Sequence, residues 1–115
     1  MKPFMHAQLE RFTQRLAELD YLLSREDIMK DMTQFMALSR EHAEVGVIAS
    51  RWQRFQTCQQ EILASQKMVE EAQKTLKDGQ NTDAQDMLSM AQEELIALQQ
   101  ETSQLELELQ RLLLP

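Results

Sequence analysis

"LSMAQEELIALQQETSQLELELQRL", residues 88–112, places apolar or small side chains at Leu88, Ala91, Leu95, Leu98, Thr102, Leu105, Leu109 and Leu112. The gaps alternate three and four without a slip, which is the seam of a coiled-coil helix. About thirty residues at 1.5 Å each make a rod of roughly 45 Å. An apolar edge of that length needs a partner of similar length, and the sequence just before it supplies one.

"KDGQNTDAQ", residues 77–85, is the clearest turn in the chain. Gly79 suits a left-handed cap at the end of a helix. Thr82 with Gln85 three residues on forms a capping box, and Asp83 and Asp86 favour the new N-terminus. A turn this short forces the two flanking helices to run antiparallel. Upstream, the series Phe35, Leu38, His42, Val45, Ile48, Trp52, Phe55, Cys58, Ile62, Ser65, Val69, Ala72 and Leu76 keeps gaps of three or four. It predicts one long helix over about 32–77, with Lys74 and Lys77 in its last turn, where a helix dipole favours cations. The two successive steps of three around Phe55 break strict heptad register, so the seam should widen or overwind there. Gly46 offers a place for a bend.

A shorter amphipathic segment precedes these. Met5, Leu9, Phe12, Leu16, Leu19 and Leu23 form one stripe, with Glu10, Arg11, Arg15 and Glu18 outside it. Pro3 suits the helix start. "SREDIMKDMTQ", residues 24–34, interrupts the pattern; Ser24 can cap a short turn, and Asp31 with Gln34 resembles a capping box for the next helix. The expected fold is all-α: an elongated, coiled-coil-like antiparallel helical hairpin with a third, N-terminal helix packed along it. A single domain over 1–115 is expected, with helices at about 4–23, 32–77 and 83–113. Composition agrees: the only glycines are Gly46 and Gly79, the only prolines Pro3 and Pro115, so few reversals are possible.

Charge is unevenly placed. Residues 1–77 carry eleven basic and eleven acidic side chains, whereas 78–115 carry eight acids against Arg111 alone. An acidic third helix repels phosphate backbones and disfavours direct nucleic-acid binding by that face. Cys58 is the only cysteine, so no intrachain disulfide can form. No signal-type segment opens the chain, and the longest apolar run, Val45 to Ala49, is far short of a membrane span. The expected compartment is the cytoplasm, with no membrane partner.

Chemistry-bearing constellations are few. His6 and His42 are the only histidines; His42 falls on the apolar series, where a hydrogen-bonded structural role is expected, and His6 near the terminus should be solvated. Glu41 and Glu44 flank His42 without metal-ligand spacing. Cys58, on the same stripe, reads as a small hydrophobe. Two glycines 33 residues apart build no phosphate loop. Trp52 and Phe55 should face inward while Arg51 and Arg54 point out. Met29, Met32, Met36, Met87 and Met90 gather near the ends of the hairpin, as adaptable packing or as a binding groove. The sequence therefore offers no catalytic, cofactor-binding or metal-binding residue and implies no cofactor.

Several strings carry a resemblance: "MKP" at 1–3, "ALSREHAEV" at 37–45, "DMLSMAQEEL" at 86–95 and "LQRLLLP" at 109–115. In that order and spacing the chain resembles the N-terminal domain of bacterial class I peptide chain release factors, most of all those that read UAA and UAG. It departs from the family at Asp31-Met32, where many members have Asp-Pro, at His42, a frequent tyrosine, and at Gly46. The family's stop-codon tripeptide and GGQ motif do not occur in these residues, so no codon-reading or catalytic role transfers to any position. The resemblance implies a noncatalytic interaction domain that projects toward the ribosomal stalk base and bears on the class II release-factor GTPase. It also implies that Pro115 is a domain boundary and that Leu112 to Leu114 meet the remainder of the factor, with self-association of the fragment when that remainder is absent. The alternative is a free-standing coiled-coil scaffold or oligomerisation protein whose seam is its function.

Overall fold

The computed structural model describes residues 1–79 and 82–115. Three helices carry nearly all of them: α1 (Pro3–Leu23), α2 (Met32–Asp78) and α3 (Thr82–Leu112), with a one-turn 3₁₀ helix, Ile28–Lys30, between α1 and α2. The fold is all-α, and no strand occurs among the described residues. The chain divides into two packed units. One comprises Met1–Gln53 with Glu108–Pro115, the other Arg54–Leu107.

In the first unit α1 lies antiparallel on the opening half of α2. Glu10 meets Trp52 and Asp20 meets His42, so ten residues forward on α1 correspond to ten back on α2, and Arg15 reaches Glu41 between them on α1. Leu9 and Leu19 of α1 are fully buried, with Val45, Ile48, Ala49 and Trp52 of α2 and Leu109 of α3. Ser24 proves to be the closing residue of α1 rather than the start of a turn: its N–H reaches Asp20 O and Tyr21 O, and its hydroxyl donates to Tyr21 O at 2.7 Å. Ile28 plugs the connection, only 4% exposed. Asp31 does cap α2, its Oδ1 accepting the Gln34 N–H at 3.0 Å. Only that half of the capping box forms a new bond, because the Asp31 N–H is already held by Ile28 O of the 3₁₀ turn.

In the second unit the remainder of α2 and α3 form the antiparallel hairpin. Arg54 pairs with Glu101, while Glu71, Ala72 and Thr75 share a cavity with Asp83, Ala84 and Met87 at the other end. Buried side chains are Phe55, Cys58, Ser65 and Ala72 from α2 and Ala84, Ala91, Leu98 and Leu105 from α3. The alanines and the serine among them are small side chains of the kind that permit close helix packing.

Along α2, Trp52, Phe55 and Cys58 are each no more than 2% exposed. The two steps of three residues there each turn the buried position by about 60°.

The glycines differ. α2 runs through Gly46 without interruption, and a Cβ added there meets nothing within 4 Å. Gly46→Ala should therefore stabilise the chain by about 0.5–1 kcal/mol, read as a higher thermal midpoint. Gly79 does adopt a positive φ, but at 147° it lies far beyond the left-handed helical value expected of the cap. Gly79→Ala should cost about 1–3 kcal/mol in the same melt. α3 is described from Thr82 onward, and the turn in which the Thr82–Gln85 capping box is expected includes residues 80 and 81, which lie outside the described residues.

Candidate interaction surfaces

Most of the polar side chains that bridge helices among the described residues form ion pairs at the surface. Arg15 clamps Glu41 in bidentate fashion, at 2.7 Å through Nε and 2.8 Å through Nη2, and holds Glu18 at 3.0 Å on its own helix. Arg51 reaches Glu108 at 2.7 Å; Arg54 clasps Glu101 at 2.5 and 2.9 Å and lies 3.6 Å from Glu61. Arg51 and Arg54 thus point outward onto α3 carboxylates while Trp52 and Phe55 point in, as their offsets on α2 require.

Two of the carboxylates titrate low. The Arg15 guanidinium, by hydrogen bonding, holds Glu41 below the ordinary carboxylate value of 4.5, and Arg54 does the same for Glu101. A carboxylate depressed in the fold adds stability above its unfolded value and loses it as pH falls through its folded one. The melting temperature should therefore hold from neutral pH to about 4.5 and decline below. A Glu41→Gln, Glu101→Gln double variant should melt lower at neutral pH and decline less in acid, measured by circular dichroism. All four side chains are more than a third exposed, so solvent screening keeps the effect small.

His42 is hydrogen-bonded as expected, its Nε2 lying 2.7 Å from Asp20 Oδ1, but it is 39% exposed and so sits at the edge of the stripe. His6 is exposed, as expected, and its ring in addition stands edge-on to Trp52, centroids 4.8 Å apart at 88°. The indole Nε1–H donates to Glu10 Oε1 at 3.1 Å. Cys58 is fully buried, and burial pushes its thiol up, helped by the Glu101 carboxylate. A raised, inaccessible thiol is a poor nucleophile. No group of three or more metal-ligating side chains gathers among the described residues, and no helix among them is long and apolar enough to cross a membrane.

What the structure does offer is exposed apolar surface. In the first unit a groove of about 330 Å³ is lined by Lys2, Phe4, Met5, Gln8, Gln110, Leu113 and Leu114. Phe4 and Leu114 are each 72% exposed. Leu113 and Leu114 were legible as off-seam leucines; that Phe4 and Met5 of α1 join them was not, because it depends on where α3 ends beside α1. In the second unit Met68, Met87 and Met90 are exposed.

Comparison with known proteins bears on these surfaces. The profile of the PCRF domain matches residues 12–115. The peptide chain release factor 1 of Albidiferax ferrireducens is 56% identical over 69 residues, covering 60% of this chain and 19% of that protein. That of Acidovorax sp. strain JS42 is 54% identical over 71 residues, covering 62% and 19%. That of Variovorax paradoxus is 52% identical over 71 residues, covering 62% and 20%. The matched stretch thus spans about a fifth of the length of these relatives. No solved structure matches the chain. With nine-tenths of its length inside one profile, and the ordered strings of the sequence pointing the same way, the chain belongs to the PCRF domain family.

Proposed function

We propose that the chain is the noncatalytic N-terminal helical domain of a translation termination factor, one that in its longer form reads UAA and UAG and promotes peptidyl-tRNA hydrolysis on the ribosome in the cytoplasm. The observation that carries this reading is the PCRF profile over 12–115 together with relatives named peptide chain release factor 1. The side-chain geometry is in keeping with it: apolar faces, surface ion pairs and a buried thiol serve packing and docking rather than bond breaking. The domain's partners are the ribosome near its stalk base, the class II release-factor GTPase and the rest of the same factor. The groove between Phe4 and Leu114 suits the last of these, and supports association of copies when it is left open. A free-standing coiled-coil scaffold fits less well, since Leu98, Leu105 and Leu109 of the α3 seam are already covered within the chain.

A chimera tests the reading. Residues 1–115 replace the corresponding segment of a release factor 1, and termination at UAA and UAG is timed in a reconstituted translation system with and without the GTPase. Near-parental release with GTPase-stimulated turnover is expected. A folded chimera that fails to terminate, or hydrolysis of ribosome-bound peptidyl-tRNA by residues 1–115 alone, would overturn it.

A further inference from the structure

Among the described residues, the second unit has a face with exposed methionines that its Arg54 ion pairs do not use. Met87 lines a cavity of about 210 Å³ with Glu71, Ala72, Thr75, Asp83 and Ala84. Met90 lies one turn along α3 from Met87, and Met68 one turn along α2 from Glu71 and Ala72, so the three methionines border the same side of the hairpin. They are 50%, 69% and 41% exposed respectively. Thioethers on flexible, unbranched chains make an adaptable apolar surface of the kind that accepts helices.

The charge around them is predominantly negative. Asp86 and Glu94 stand within a turn of Met90 on α3, adding to Glu71 and Asp83 at the cavity. Residues 54–107 hold ten acidic and four basic side chains. Of those four cations, Arg54 is committed to Glu101 and Glu61, Lys74 and Lys77 line a different cavity with Glu70, Gln73 and Leu76, and Lys67, beside Met68, is the one left near the face, outnumbered by its carboxylates. The methionine face is thus apolar in the middle and negative at the rim. That potential repels nucleic acid and anionic lipid, and attracts cationic polypeptide.

We infer that the face formed by Met68, Met87 and Met90 with Glu71, Asp83, Asp86 and Glu94 is a docking site for a cationic amphipathic helix. Apolar anchors on that helix, spaced three or four residues apart, seat on the methionines, and its lysines or arginines meet the carboxylate rim. The site stands on the geometry of the hairpin and does not depend on the termination reading.

The probe is a synthetic helix of about 18 residues, long enough to fold, with leucines at i, i+3, i+4 and i+7 and lysines elsewhere. The chain carries methyl-¹³C methionine, each resonance assigned by a single Met→Leu variant. Titration should shift and saturate the methyl signals of Met68, Met87 and Met90, with affinity falling as salt rises. Met29, Met32 and Met36 are comparably exposed, at 57%, 51% and 59%, in the unit whose charges nearly balance, and should not move. A Glu71→Lys, Glu94→Lys variant that keeps wild-type helicity should bind about tenfold more weakly or worse. Four results overturn the proposal: no shift, equal shifts at all exposed methionines, the same shifts from a lysine-only peptide or an RNA oligonucleotide, or a charge-reversed variant that binds as well as the parent.

Discussion

Trp52→Ala should destabilise the chain by about 3–5 kcal/mol, lowering its thermal midpoint by on the order of 10 °C or more. Three losses combine. The indole is only 2% exposed, so its removal leaves a cavity where α1 lies on α2. The Glu10 carboxylate loses the Nε1–H donor. The His6 ring loses the edge-on aromatic that holds it against α2. Trp52→Phe separates these contributions, because it retains an aromatic ring and removes the N–H; it should recover the larger part of the loss. Chemical denaturation followed by circular dichroism measures both variants. A Trp52→Ala midpoint within a degree or two of wild type would mean that α1 contributes little to the packing of this unit.

Leu109→Ala is the second large effect, at about 2–5 kcal/mol. Leu109 is fully buried in the unit that joins α1, the first half of α2 and the end of α3. Its neighbours in sequence provide the control. Leu107 is 54% exposed and Leu114 72%, so alanine at either should change stability by no more than about 0.5 kcal/mol. Three leucines within eight positions then differ severalfold in consequence because Leu109 is on the buried side of α3, Leu107 on its exposed side and Leu114 beyond its end.

That contrast also measures what the sequence conveys. The three-four alternation assigns Leu109 to the seam and leaves Leu107 and Leu114 off it, before any coordinate is known. The same periodicity locates all three helices and the inward turn of Trp52 and Phe55. It does not reveal contacts that depend on the register of one helix against another. His6 meeting Trp52 is one such contact, and the cavity that Met87 of α3 shares with Glu71 and Ala72 of α2 is another. Ile28 was missed for a different reason. A lone branched residue in a run of charges has no period, and only the 3₁₀ turn that follows Arg25–Asp27 presses it into the core. At Gly79 the residue type announced a positive φ, but not its value, since glycine is equally free over most of that half of the map.

The chain contains one tryptophan and one tyrosine, Trp52 and Tyr21, and both belong to the unit that includes α1. Ultraviolet emission therefore watches only that unit, whereas far-ultraviolet ellipticity is a sum over every helical residue. An unfolding curve recorded by fluorescence and one recorded by ellipticity should superimpose if the chain melts as one cooperative block. If the hairpin of residues 54–107 opens on its own, the two curves separate, and their offset gives the free energy of that partial opening without any label being introduced.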